Sequence, residues 1–265
     1  VSADGRQAVT LNFARVARTR PGYGYVGLPD PWEKDAAPAE DGIYHMDLGT
    51  GQSRLIVSIG QMASFQPEPS MEGAEHWFNH LQFNPSGTRF IFLHRWRRPG
   101  IPGWQTRLFT ANPDGSDICL LGREGLVSHF DWRDDEHVLA WSRHRGEDHF
   151  HLYRDRSQDV EVVGPDVLLQ DGHCSYSPDR RWILNDTYSD PERHERTLML
   201  YHPASNTRFD LGRFYAAPEI TGEIRCDLHP RWSRDGTWIS FDSIHEGQRH
   251  VYLMDVSEVI GEMTG

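Results

Sequence analysis

The sequence predicts an all-β chain folded as a β-propeller of four-stranded blades, with about five blades visible in one domain spanning 1–265. Two observations carry that prediction. One pattern returns four times: a His, two residues, an aromatic, a tight turn and then an apolar strand. The spacing is near-constant, with His80, His129, His173 and His229 separated by steps of 49, 44 and 56 residues. A unit of roughly 40–50 residues holding about four strands is the signature of a propeller blade. No stretch shows a convincing helical period, which disfavours the helical repeat folds.

The elements follow in order. The turn Ser2-Ala3-Asp4-Gly5 opens the chain without its preceding His, so the first unit begins inside its own inner strand. Either the chain is part of a larger propeller, or its two ends complete one blade between them. A long insert from Arg15 to Asp41 follows, and Pro21-Gly22-Tyr23-Gly24 marks it as a loop expected over one face. The second unit runs from Asn79-His80 through Phe90-Ile91-Phe92-Leu93 and Arg107-Leu108-Phe109-Thr110. The third carries Val138-Leu139-Ala140-Trp141 and His151-Leu152-Tyr153. The fourth carries Trp182-Ile183-Leu184 and Leu198-Met199-Leu200-Tyr201, the fifth Trp238-Ile239-Ser240-Phe241 and Val251-Tyr252-Leu253-Met254. These runs are short, rich in β-branched and aromatic residues and bounded by Gly, Pro, Asn and Asp, as strands are.

Composition narrows the function. Lys and Arg number 27 against 39 Asp and Glu, a formal charge of −12. That balance argues against nucleic acid or an anionic membrane as partner. No apolar run approaches a membrane helix. The first residues lack the basic start and apolar core of a signal peptide. Three cysteines, Cys119, Cys174 and Cys226, make no disulfide framework. Dinucleotide, phosphate-loop and nucleophile-elbow motifs are absent.

In a propeller the first strand of each blade lines the central channel, so the four repeated histidines should ring one mouth. Imidazoles in a ring bind divalent metal, carry protons or hold anions. Asp227 and His229 share a side of an extended strand, and with His173 they make a candidate site for Zn²⁺ or Mn²⁺, to which Cys174 or Cys226 would add a thiolate. His94-Arg95-Trp96, followed by Arg107, offers guanidinium forks for carboxylates or sulfates and an indole face for sugars. Tyr188, in Asn185-Asp186-Thr187-Tyr188, is a candidate proton donor at the mouth.

These residues resemble a known family. The units look like TolB-type repeats. More specifically, Phe92-Leu93-His94-Arg95-Trp96, Thr106-Arg107-Leu108, Val127-Ser128-His129-Phe130-Asp131-Trp132, Asp171-Gly172-His173-Cys174 and Asp227-Leu228-His229-Pro230 resemble the oligogalacturonate lyases. Propeller-type ulvan lyases are a looser likeness. The resemblance covers residues 76–256. It implies a seven-bladed propeller that cleaves uronate-containing oligosaccharides by β-elimination in the bacterial periplasm or cytoplasm. It further implies a Mn²⁺ on His173 and His229, with Asp227 where that family has another His. Arg107 and His129 would stand near the substrate, His129 as base. The ulvan likeness adds His80, His94 and Tyr188 as catalytic candidates. The alternative is a non-catalytic TolB-like propeller that binds a protein or carbohydrate partner.

Overall fold

The computed structural model describes residues 1–262 and is built from five antiparallel sheets. The first contains β1 (Gln7–Leu11), β2 (Gly42–Asp47) and β3 (Ser53–Ser58). The second contains β4 (Glu75–Phe83), β5 (Phe90–Arg97), β6 (Gln105–Ala111) and β7 (Cys119–Gly125). The third contains β8 (Val127–Trp132), β9 (His137–His144), β10 (Glu147–Arg154) and β11 (Val160–Val162). The fourth contains β12 (Ser175–Tyr176), β13 (Ile183–Asp186), β14 (Glu195–His202) and β15 (Thr207–Tyr215). The fifth contains β16 (Arg231–Trp232), β17 (Trp238–Ser243) and β18 (His250–Asp255). Within each sheet the strands pair in chain order, as in the blades of a propeller.

Alternation along the middle strands supplies a core on both faces of each sheet. Phe90 and Phe92 of β5 pack with Ile43 and Val57 of the first sheet. Ile91 and Leu93, one residue out of phase, pack with Val138 and Tyr153 of the third. Leu139 and Phe150 then meet Ile183, Met199 and Tyr201 of the fourth sheet. Leu184, Leu198 and Leu200 meet Ile239 and Phe241 of the fifth. Each such fully buried side chain contributes about 1.5–3 kcal/mol.

The repeated aromatic has a structural reason. Trp132 Nε1 donates to the Gln82 carbonyl of the preceding inner strand at 3.2 Å, and Trp232 Nε1 to that of Ser175 at 3.4 Å. Asp131 ties three blades, accepting from Gln82 Nε2 at 2.6 Å and from the Tyr176 N–H at 2.8 Å. In the third and fifth sheets the third residue after the His, Trp132 or Trp232, is therefore a latch to the preceding neighbour.

Among the described residues three short α-helices accompany the sheets: α1 (Phe13–Thr19), α2 (Ile59–Ser64) and α3 (Ser257–Glu262). None is long and apolar enough to cross a membrane. The segment α1 opens the insert that the sequence marks as loop. Seven residues are too few for a visible helical period, but Asn12 caps the helix by accepting from the N–H groups of Ala14 and Arg15. Buried Arg15 then pins the insert to the second sheet. It donates to the carbonyls of His76 (2.9 Å), Trp32 (3.3 Å), Asp35 (3.1 Å) and Ala36 (3.0 Å).

Candidate functional site

His80, His129, His173 and His229 line one channel pocket of about 350 Å³, with Gln82, Phe130 and Pro230. The motif places them there because each precedes or interrupts its inner strand. Ladder register shifts between Asn79 and Gln82 in β4, and between Val127 and Phe130 in β8, and these bulges carry His80 and His129. His80 and His229 adopt left-handed backbone conformations, with φ of 48° and 41°. Such strain at non-glycine residues is common at functional sites.

Three of the rings lie in a row, tilted against one another by 50° and 44°. His173 lies 4.1 Å from His129 and 3.8 Å from His229, centroid to centroid. Two carboxylates orient them. His129 Nδ1 lies 2.9 Å from Asp171 Oδ1. His173 Nδ1 lies 3.0 Å from both oxygens of Asp186, and the same carboxylate accepts the backbone N–H groups of His173 (2.7 Å) and His229 (3.2 Å). Burial alone pushes the Asp186 pKa up, but hydrogen bonds and charge from His173 outweigh it and hold the group below the ordinary value. With both Nδ1 atoms engaged, Nε2 is the nitrogen left on His129 and His173 for other chemistry. Gly172 permits the approach, since a Cβ there would stand 1.8 Å from the Asp186 carbonyl oxygen.

Nitrogen and oxygen donors of His173, Asp227 and His229 lie within 4.8 Å of one another, a candidate metal site. The donor set fits a divalent ion of intermediate hardness, and the carboxylate–histidine contact through Asp186 is the support such ligands receive. Loss of water, then the neighbouring His173, lowers the His229 pKa and favours the neutral, ligating form. Asp227 is also held by two guanidiniums, Arg196 at 2.7 Å and Arg225 at 2.6 Å. Both of its oxygens are thereby engaged, Oδ1 by Arg196 and Oδ2 by Arg225. The thiols stand apart from this set: Cys174 is buried in the apolar core between blades, where burial raises its pKa well above the usual value, and Cys226 is likewise buried with a raised pKa.

Tyr188 faces the same cluster, 6.1 Å from His129 and 6.3 Å from His173, with Arg225 over its ring at 5.2 Å. Burial, followed by the charge of Asp171, pushes its phenol up to about 12. His80 keeps an exposed face in the open channel while protein surrounds much of its ring. Lost water, then the charge of Arg95, lowers its pKa.

Three expected residues lie elsewhere. His94 is fully buried, its ring bonded to His76 (3.0 Å) and to Arg107 (3.1 Å). Arg107 is equally buried and spends its guanidinium on the carbonyls of Met62, Phe65 and Gln66, anchoring α2 and the turn after it. Trp96 is buried and donates to Ser70 Oγ at 3.2 Å. A substrate does not reach these groups. Alternation explains the outcome: His94 and Trp96 share one face of β5, whereas Arg95 points to the other. Arg95 alone of the segment adjoins the channel, donating to Asn79 Oδ1 at 3.3 Å.

The sequence reading missed several neighbours. Asp171 and Asp186 sit inside quoted motifs, and a carboxylate ending a buried strand such as Ile183-Leu184 signals a required partner. Arg20, Tyr23 and Trp104 carry no motif. Tyr23 comes from the insert and packs edge-on against His80 at 5.8 Å. The adjacent Gly22 reaches the fifth blade's approach, where its Cβ would stand 3.4 Å from Glu223 Cγ. The insert thus crosses the channel mouth. Its tip folds back on α1 through Gly24, where a Cβ would stand 2.2 Å from the Ala17 nitrogen.

No family model matches the sequence, and no curated protein does. Solved structures do match. An oligogalacturonate lyase in complex with manganese superposes with a TM-score of 0.63 at 18% identity, covering 83% of this chain and 55% of that one. The oligogalacturonate lyase of Vibrio parahaemolyticus gives a TM-score of 0.65 at 14% identity, over 98% and 65%. The fold is a β-propeller of the kind seen in oligogalacturonate lyases and TolB. TolB from Acinetobacter baumannii gives a TM-score of 0.52 at 13% identity, over 82% and 47%. The chain spans 55–65% of the length of the two lyases.

Proposed function

We propose that the protein is a polysaccharide lyase that cleaves a uronate-containing oligosaccharide, of oligogalacturonate or ulvan type, by β-elimination in the histidine-lined channel. The observation that carries this reading is the arrangement of His129: Nδ1 fixed by Asp171, Nε2 left free, and the Tyr188 ring 6.1 Å away.

The chemistry follows from these groups. His129 Nε2 takes the proton at C5 of the uronate. The electron pair released forms the C4–C5 double bond as the C4–O bond breaks. Tyr188, protonated at neutral pH with a pKa of about 12, gives its proton to the departing oxygen. Water reprotonates the phenolate, and the imidazolium returns its proton to solvent. His80 lines the same pocket as a second neutral imidazole that can contact the sugar. His173, His229 and Asp227 would hold a divalent metal. When bound, such an ion neutralises the uronate carboxylate and makes the C5 proton more acidic. Two imidazoles and one carboxylate suit Mn²⁺ or Zn²⁺.

The double clamp of Arg196 and Arg225 on Asp227 favours a second reading, a metal-free propeller that binds a carbohydrate or protein and catalyses nothing. Product analysis separates the two. The lyase reading expects mass spectra of digested polygalacturonate or ulvan oligomers to show unsaturated ends formed without uptake of water. Intact oligomers after long incubation with folded protein and added Mn²⁺ would leave the binding propeller.

A further inference from the structure

We propose that Arg20 and Arg95 form a carboxylate-binding site at the channel mouth, walled by Tyr23 and Trp104, that takes a uronate ring of the oligosaccharide. The inference rests on the lyase reading and names residues that would recognise its substrate.

Arg20 follows α1 at the start of the insert and lies over two aromatic rings, 4.6 Å from Tyr23 and 4.5 Å from Trp104. Arg95, on β5, approaches the same Trp104 at 5.5 Å. The two cations therefore share one indole. Among the described residues neither forms an ion pair, and the Nε of each is buried without a hydrogen-bond partner. Arg89, Arg196 and Arg18, by contrast, pair with Asp155, Asp227 and Asp30, and buried Arg107 spends its donors on backbone carbonyls.

Holding two uncompensated like charges together is unfavourable, above all for Arg95, which is only 4% exposed. Burial and then the charge of Arg20 lower its pKa to about 10, so it remains charged at neutral pH. Aromatic faces offset part of that cost. A carboxylate would offset more, since guanidinium forks match it with paired hydrogen bonds.

The surroundings select a sugar acid rather than a bare anion. Tyr23 and Trp104 remain 42% and 36% exposed, flat apolar surfaces beside the charges, suited to the C–H face of a pyranose ring. Tyr23 touches His80, so the site opens into the pocket that holds His129. Arg107, the sequence's candidate for this task, is sealed in the core.

Calorimetric titration tests the proposal, with trigalacturonate and its methyl ester as probes and His129→Ala as the background that prevents turnover. The acid should bind at least tenfold more tightly than the ester. Arg20→Ala, on a half-buried position of the insert, should abolish most of that ratio without changing the melting temperature, and Arg20→Lys should restore part of it. Equal binding of acid and ester, or a ratio that survives both Arg20→Ala and Arg95→Gln, would overturn the proposal. The lyase reading fails separately. If wild-type protein never cleaves the oligomer but the acid-to-ester ratio depends on Arg20, the site stands and the lyase does not. If Arg20→Ala cleaves with unchanged KM, the lyase stands and the site does not.

Discussion

The carboxylate of Asp186 holds His173 twice, through its backbone N–H at 2.7 Å and through its ring Nδ1 at 3.0 Å. The same group accepts the His229 N–H across the blade boundary. One buried anion thus sets the position of two of the three candidate metal ligands. Asp186→Asn should keep the fold and weaken Mn²⁺ binding by about 10–100-fold, the usual effect of removing an outer partner of a metal-binding histidine. Calorimetry with Mn²⁺ checks this. Unchanged affinity would show that Asp186 serves only the fold.

His129→Ala should lower turnover of a uronate oligomer by roughly 10²–10⁴-fold, the contribution of a positioned base. Mn²⁺ affinity should stay near the wild-type value, because Asp227, His173 and His229 make the candidate site. Asp171→Asn should reduce the rate less, by disturbing only the ring's orientation. Parallel rate and metal titrations test the separation.

Tyr188 gives a pH prediction. Its pKa of about 12 keeps the phenol protonated, so the proton donor is present throughout the neutral and mildly alkaline range and is lost only as pH rises towards that value. The alkaline limb of the pH–rate profile below about pH 10 should therefore not come from Tyr188. Tyr188→Phe should lower the rate across the whole profile without moving its limbs. A limb near pH 8 that disappears in Tyr188→Phe would contradict the assignment.

Arg107→Ala should damage stability. It deprives the carbonyls of Met62, Phe65 and Gln66 of their buried donor, and each unsatisfied group costs about 1–3 kcal/mol. Urea denaturation should show a lower midpoint, while KM of the protein that remains folded stays unchanged. A raised KM at unchanged stability would return Arg107 to the substrate.

Blade count, strand positions and the histidine ring were legible because each rests on a short local pattern. The His-to-aromatic spacing encodes two things at once, a residue in the channel and a latch such as Trp132 to Gln82. The basic segment around Arg95 was misread where charge outweighed alternation: His94, Trp96 and Arg107 looked exposed by composition, yet β5 and β6 are central strands with both faces covered. Polar partners such as His76 and the α2 carbonyls, distant in sequence, make their burial possible. Arg20, Tyr23 and Trp104 stayed hidden for a similar reason. The path of the insert is set by Arg15 and Gly24, and only folding brings its tip to β5 and the segment after it.

The central claim is that His129 is the base of a β-elimination. Its most direct test is ultraviolet absorbance at the band of an unsaturated uronate, recorded while the protein acts on galacturonate oligomers and ulvan with and without Mn²⁺. A rise with wild-type protein that vanishes in folded His129→Ala is the predicted result. A flat trace from folded wild-type protein under every condition, or an equal rise from the variant, would contradict it.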